Sequence, residues 1–201
     1  MGQFPNLPSG LSAGFLLLMF VLVDNAHADF ERGLFAYNHY EYQVAHQQFM
    51  LAALNAHPGA CYFLGEIYDG GIGVPMDSGK AANWYRKAAE LAHPQAQSRL
   101  AHLYQRGRGV RQDDDAAFSW YLRSAENGYP VAQYAVGLLY ANGMGTKVNR
   151  HEAYKWLTVA ASYGDPDAMT ARVKLVGLMS PAQISRAQHA ANDWELAWER
   201  R

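Results

Sequence analysis

The side chains of this chain that could carry chemistry are eight histidines, one cysteine and a group of arginines. No pair of histidines has a metal-ligand spacing on one predicted helix, and the single Cys61 cannot form an intrachain disulfide. The sequence contains none of the nucleophile and zinc motifs S-x-x-K, K-T-G, G-x-S-x-G and H-E-x-x-H. It therefore predicts no catalytic residue, no metal site and no cofactor, and it predicts that Cys61 is a small buried side chain.

The arginines are concentrated in one stretch, where they could meet an acidic partner. The basic residues of this stretch are Arg99, His102, Arg106, Arg108 and Arg111, and three aspartates follow at 113–115. Two interpretations stay open: a solvated loop whose acids offset its bases, or a basic spot that binds an acidic peptide or an anionic glycan. The formal net charge of the whole chain is −1, so its composition does not indicate a nucleic-acid-binding protein.

These arginines belong to a unit of 36 residues that occurs three times, at 60–95, 96–131 and 132–167. Self-similarity at this period is typical of stacked repeat proteins. Each unit contains two glycines separated by one residue, and a tryptophan in its second half. The glycines are Gly71, Gly73, Gly107, Gly109, Gly143 and Gly145, and the tryptophans are Trp84, Trp120 and Trp156. Because the glycine pairs recur once in every unit, we interpret them as turn residues and not as phosphate-binding loops.

In each unit the apolar residues follow helical spacing in two segments, with the glycine pair between them. The first helix is predicted to end at the glycines, which adopt positive φ angles without steric strain. The second helix is predicted to begin after Asp77, Asp113 or Asn149, which are residue types favoured as N-caps. The tryptophans are expected to fill the core between helices, and Trp120 in particular is expected to be enclosed by both neighbouring units.

Three strings of the chain resemble Sel-1-like repeats, which are relatives of the tetratricopeptide repeats: YFLGEIYDGGIGVPMDSGKAANWYRKAAE, HLYQRGRGVRQDDDAAFSWYLRSAENG and YAVGLLYANGMGTKVNRHEAYKWLTVAASYG. The resemblance implies an all-α fold, a right-handed α/α solenoid of helix–turn–helix repeats. It also implies that the first helices line a concave face where a partner binds. The positions expected on that face are Tyr62, Phe63, Glu66, Arg99, His102, Tyr134, Ala135 and Leu138. Of these, Phe63 and Arg99 are expected to lie outside the core.

The segments that flank the three units differ from them. Residues 1–28 have the layout of a secretory signal peptide, with an apolar run at 11–23 and cleavage predicted after Ala28. The stretch 29–59 is similar to a degraded repeat and is expected to form a helical pair that caps the array. Residues 168–199 predict C-terminal capping helices, with a capping box at Ser180 and Gln183. The mature protein is accordingly expected to be periplasmic or secreted, with no membrane span after cleavage.

The resemblance implies a non-catalytic scaffold or adaptor that binds a protein or peptide on its concave face, and the layout of residues 1–28 adds the expectation that it is exported. A second hypothesis is a cell-wall-active protein that binds or hydrolyses β-lactams or peptidoglycan, although the sequence lacks a nucleophile motif for this chemistry. Binding of a glycan or of peptidoglycan without hydrolysis is a third hypothesis. The sequence does not identify the partner.

Overall fold

The computed structural model describes the backbone of residues 13–201 and the side chains of residues 25–201. This part of the chain forms α-helices and contains no strand. The helices are α1 (Ala13–Asn38), α2 (Tyr42–Leu54), α3 (Pro58–Gly70), α4 (Ser78–Glu90), α5 (Pro94–Arg106), α6 (Asp114–Glu126), α7 (Pro130–Asn142), α8 (Arg150–Ser162), α9 (Pro166–Val176) and α10 (Pro181–Glu199).

The helices pack as a row of hairpins. Helices α1 and α2, α3 and α4, α5 and α6, and α7 and α8 pack in pairs, and the second helix of each pair also packs against the first helix of the next. The first helices of neighbouring pairs touch as well, as α3 touches α5 and α7 touches α9. Each pair therefore contacts its neighbours in sequence, which is the arrangement of an α/α solenoid. The predicted fold class is confirmed.

Local capping chemistry sets the helix boundaries. Each first helix from α3 onward begins at a proline, two residues before the alanine with which we began each sequence unit. The predicted N-caps of the second helices are confirmed, because side-chain oxygens of Asp77, Asp113 and Asn149 accept backbone N–H groups at 2.9–3.2 Å. The capping box of Ser180 and Gln183 is also present at the start of α10.

The two glycines of each pair have different roles. The first, exemplified by Gly107, is the left-handed C-cap of the first helix, with φ 64°. The second glycine also has a positive φ, and in addition it lies against the preceding hairpin. A Cβ atom on Gly109 would overlap with the carbonyl oxygen of Ser78 and lie 2.7 Å from the amide nitrogen of Gly79. The second glycine thus lets the loop of one hairpin touch the first turn of the second helix in the hairpin before it.

The tryptophans do not share one environment, which corrects the expectation from the sequence. Trp156 is buried, with 2% of its surface exposed, whereas Trp84 and Trp120 are only half-buried. A cation covers the ring of each half-buried tryptophan: Lys87 lies 4.0 Å from the centroid of Trp84, and Arg123 lies 4.7 Å from that of Trp120. The next position along the chain, by contrast, is buried in all three repeats. It holds Tyr85, Tyr121 and Leu157.

Helix α10 departs from the repeat pattern. It packs on α8, although the regular pattern would place it beside α9. Its Trp194 lies edge-on to Trp156 with ring centroids 5.5 Å apart, and its Trp198 ring covers Gly128 in the turn between α6 and α7. The connection from α9 to α10 has four residues, 177–180, whereas α3 and α4 are joined by the seven residues 71–77. The length of the connection does not by itself separate α10 from α9, since α1 and α2 pack as a pair across only three residues, 39–41.

The N-terminal pair α1–α2 precedes the first of the three units. Residues 1–12, the first part of the predicted signal peptide, lie outside the described residues. Helix α1 runs without a break through the predicted cleavage position after Ala28. None of the helices in the described part of the chain combines the length and the apolar character that a membrane crossing requires.

Candidate functional site

The first helices α5, α7 and α9 line a groove that consists of two adjoining cavities of about 410 Å³ each. One cavity lies between α5 and α7, the other lies between α7 and α9, and Tyr134, Leu138 and Asn142 line both. Five of the eight predicted contact residues lie on this surface. These five are Arg99, His102, Tyr134, Ala135 and Leu138. The structure therefore brings together the part of the predicted site that comes from the second and third repeats.

The wall of the groove formed by α5 is cationic. Arg99 and His102 line the first cavity. Arg106 lines neither cavity, but it follows His102 by four residues on the same side of the helix, and its charge acts on His102 and Tyr121, which do line the first cavity. Burial lowers the pKa of His102, and the nearby charges of Arg106, Arg108 and Arg99 lower it further. The imidazole is therefore neutral near pH 7, and the positive charge of the wall comes from the arginines. Arg106 is exposed, and among residues 25–201 it has no carboxylate within ion-pair distance.

Arg99, in the α5 wall of the groove, is held by polar contacts that link it to helices α3 and α4. Its Nε lies 2.9 Å from Oε1 of Glu66, which also accepts a hydrogen bond of 2.5 Å from the hydroxyl of Tyr85. Burial and the hydrogen bond to Glu66 raise the pKa of Tyr85 above its usual range, so the phenol stays protonated and donates. Glu66 thus links helices α3, α4 and α5, and both of its oxygens have partners inside the protein.

Phe63 does not lie free in the groove, and here the structure corrects the sequence interpretation. Its ring stacks on Phe49, with centroids 5.1 Å apart, and meets the edge of Tyr37 at 5.4 Å. It is half-buried in the aromatic layer between α1, α2 and α3 because the N-terminal pair packs over this end of α3. Tyr62 is likewise engaged, since its ring stacks on His93 at 4.8 Å. The predicted residues of the first repeat are therefore structural contacts.

The floor of the groove is apolar, and α9 supplies its far wall. Ala135 and Leu138 of α7 are half-buried; Ala135 lines the first cavity and Leu138 lines both. Sequence reasoning missed the contribution of α9, where Ala171 and Lys174 line the second cavity. A signal for them existed, because Ala171 and Lys174 follow Ala135 and Leu138 by one 36-residue period. The prediction treated residues after 168 as a cap and did not continue the two columns into them.

The remaining reactive side chains have structural positions. Cys61 is 1% exposed, and burial raises the pKa of its thiol, so the reactive thiolate is disfavoured. His57 and His93 cap α3 and α5, with each Nδ1 accepting a backbone N–H. Burial lowers the pKa of both imidazoles, which favours their neutral form. Within the described part of the chain, no three His, Cys, Asp or Glu side chains converge in a way that could hold a metal ion.

The stacked hairpins and the groove on their first helices define an α/α repeat protein. The comparison with protein families is specific: the family model for the Sel1 repeat matches residues 58–93, 94–129 and 130–165. The chain therefore belongs to the Sel1 repeat family. Proteins built from these repeats typically serve as scaffolds for protein interactions. The matched units begin at the first-helix prolines, as the helices do.

Solved structures show the same fold. The chain is 29% identical to a Sel1 repeat protein from Oxalobacter formigenes, with a TM-score of 0.71, over 81% of this chain and 49% of that protein. It is 20% identical to c5321, a protective antigen of uropathogenic Escherichia coli with an SLR fold, with a TM-score of 0.59, over 94% of this chain and 52% of that one. The chain thus spans about half the length of these two proteins. No curated protein matched it.

Proposed function

We propose that this protein is a non-catalytic scaffold that binds a segment of a partner protein in the groove of α5, α7 and α9. The observation that carries the proposal is the continuity of the groove across three successive first helices. Two adjoining cavities that share Tyr134 and Leu138 form one trough along three helices, whereas a small-molecule site is usually a single enclosed cleft.

The chemistry of the groove supports a particular kind of segment. The exposed guanidinium of Arg106 lies at the margin of the groove, close enough for its charge to act on His102 and Tyr121, and the floor offers the apolar surface of Ala135 and Leu138. A matching segment carries an acidic side chain next to an aliphatic or aromatic one. Aromatic and arginine side chains supply much of the binding energy at protein interfaces, so Tyr134 and Arg106 are the candidate anchors. Arg99 contributes less because Glu66 already neutralises it.

Selection of peptides from a random displayed library tests this proposal without knowledge of the natural partner. We expect the selected peptides to combine Asp or Glu with an adjacent Leu, Phe or Trp. Leu138→Arg places a charge on the apolar floor and is expected to weaken binding of these peptides by about tenfold or more, equivalent to about 1.4 kcal/mol. Arg106→Glu is expected to reverse the charge preference, so that a new selection yields basic peptides.

The matched control for Arg106→Glu is Arg123→Glu. Both arginines lie in the last turn of a helix, so the two changes have similar effects on the helix dipole, but Arg123 covers Trp120 outside the groove. Leu196→Arg on α10 is the corresponding control for Leu138→Arg, since Leu196 is 51% exposed. Binding that is lost in the control variants and kept in the groove variants would place the partner on the other face and contradict the proposal.

We also propose that the protein is exported and that its mature form begins at Asp29. The apolar run at 11–23 and the small residues Ala26 and Ala28 support this proposal. Expression of the full chain with a C-terminal tag in a Gram-negative host should yield a shortened protein in the periplasmic fraction. N-terminal sequencing of that protein is the measurement. Recovery of the folded protein in the cytoplasmic fraction with Met1 or Gly2 at its terminus would exclude export through this segment.

A further inference from the structure

The second cavity of the groove, between α7 and α9, has two opposite charges on one wall. Asp167 in the first turn of α9 and Lys174 in its last turn both line this cavity, and both are exposed. They are seven residues apart, which corresponds to about 10 Å along the helix axis. Among residues 25–201, neither side chain has an opposite charge within ion-pair distance. The wall thus presents a carboxylate at one end and an ammonium group at the other.

The surface between the two charges is apolar. Ala171 lies between them on α9, and Tyr134 and Leu138 of α7 line the same cavity. Burial raises the pKa of Tyr134, and the negative charges of Asp167 and Asp165 raise it further. The carboxylates of α9 therefore act on the side chain that the two cavities share, and their field reaches the interior of the groove.

The charges are arranged by position along the first helices. Because the chain reverses direction at each helix connection, the first helices run in the same direction, so their last turns lie at the same end of the groove. Lys174 is in the last turn of α9, and Arg106 is the last residue of α5. Asp167 lies at the opposite end, where the earlier repeats have the uncharged Val131 and Gln95. The groove therefore has a cationic end and, on α9, an anionic end.

We propose that the groove recognises a segment that carries both charges, with its basic side chain paired to Asp167 and its acidic side chain directed toward Lys174 and Arg106. This inference rests on the proposed peptide-binding function and adds to it a basic residue and an orientation. Each residue of an extended segment advances about 3.3 Å, so two charges about 10 Å apart are three or four residues apart in its sequence. The reversed orientation would bring like charges together at both ends, so Asp167 determines specificity.

Peptides selected from the displayed library with the parent protein are the probe. We expect them to carry Lys or Arg three or four residues from Asp or Glu, with an apolar residue between. In a synthetic analogue, methionine replaces this basic residue. Asp167→Asn should weaken the selected peptide by about three- to fivefold, the range of an exposed ion pair, and should leave the affinity of the analogue unchanged. Fluorescence anisotropy titrations measure both affinities. A purely structural role of Asp167 would weaken both peptides equally.

Asp115→Asn is the matched control, because Asp115 is the second residue of α6, as Asp167 is of α9, and it is exposed outside the groove. It should leave the affinities of both peptides unchanged. In a second test, Asp167→Lys combined with Lys174→Glu exchanges the two charges and conserves the net charge. This variant should prefer a peptide in which the basic and acidic residues have also been exchanged.

Three results would overturn the inference: selected peptides without a basic residue, equal weakening of both peptides by Asp167→Asn, or an unchanged preference in the charge-exchanged variant. The proposed groove function would survive these results if Leu138→Arg still weakened the selected peptides. Peptides whose affinity Leu138→Arg leaves unchanged would contradict the groove function and this inference together.

Discussion

Replacement of Gly109 by alanine is expected to destabilise the array by about 3–4 kcal/mol, whereas Gly107→Ala is expected to cost only about 1–2 kcal/mol. Both glycines have positive φ angles, 68° and 64°, so an alanine is strained at either position. Only at Gly109 would the added methyl group also overlap with rigid backbone, the carbonyl group of Ser78. At Gly107 the nearest atom would be Cβ of Gln112 at 3.3 Å, which a small shift relieves.

Thermal unfolding followed by circular dichroism measures both changes. Because each hairpin contacts only its neighbours, the loss at Gly109 acts on the interface between the first and second repeats. In the Gly109→Ala variant we expect a melting temperature lower by about 10 °C, given a shift of about 2–4 °C per kcal/mol for a protein of this size. Equal losses for the two variants would show that the loop relaxes away from Ser78 and that the close approach contributes little.

The second large effect is expected for Trp156→Ala, which should destabilise the protein by about 3–5 kcal/mol. Trp156 is 2% exposed and lies edge-on to Trp194 of α10, so its removal leaves a cavity and also loosens the C-terminal helix. Trp120→Ala is the matched comparison. It should cost about 1–2 kcal/mol, because Trp120 is only half-buried and contacts Arg123 at the surface.

The expected loosening of α10 in the Trp156→Ala variant can be measured separately. Limited proteolysis of the Trp156→Ala variant should cleave in the connection 177–180 or within α10 faster than in the parent protein, and Trp120→Ala should not change this rate. If the two variants lost the same stability and α10 stayed equally protected, the difference in burial between the two tryptophans would have no energetic consequence.

The features that the sequence predicted well depend on chemistry within a few residues. The 36-residue period, the N-caps at Asp77, Asp113 and Asn149, and the capping box at Ser180 are confirmed. An N-cap needs only a side-chain oxygen and a backbone N–H two or three residues away, so its partners are visible in the sequence. The left-handed C-cap at Gly107 is predictable for the same reason, because the φ angle is a property of one residue.

The candidate site was predictable only in part. The columns of the repeat placed Arg99, His102 and Leu138 on one surface, and the structure agrees. The same columns also placed Phe63 there, but it is covered by the N-terminal pair. A repeat column specifies which face of its own hairpin a residue occupies. Whether that face meets solvent depends on the neighbour that packs on it, and at the ends of an array the neighbours are irregular.

The sequence alone therefore determined the repeat, the caps of the second helices and the fold class, because the interactions that set them lie within one unit of the chain. Only the tertiary structure decided that Trp156 is buried and Trp120 is not, and that α10 lies on α8. It also showed that Gly109 lies so close to the backbone of Ser78 that a side chain has no room there. Each of these outcomes depends on atoms that are 30 or more residues away in the chain. Burial and close approach arise from which surfaces meet, and a short-range pattern carries no information about the distant surface that packs on a given face.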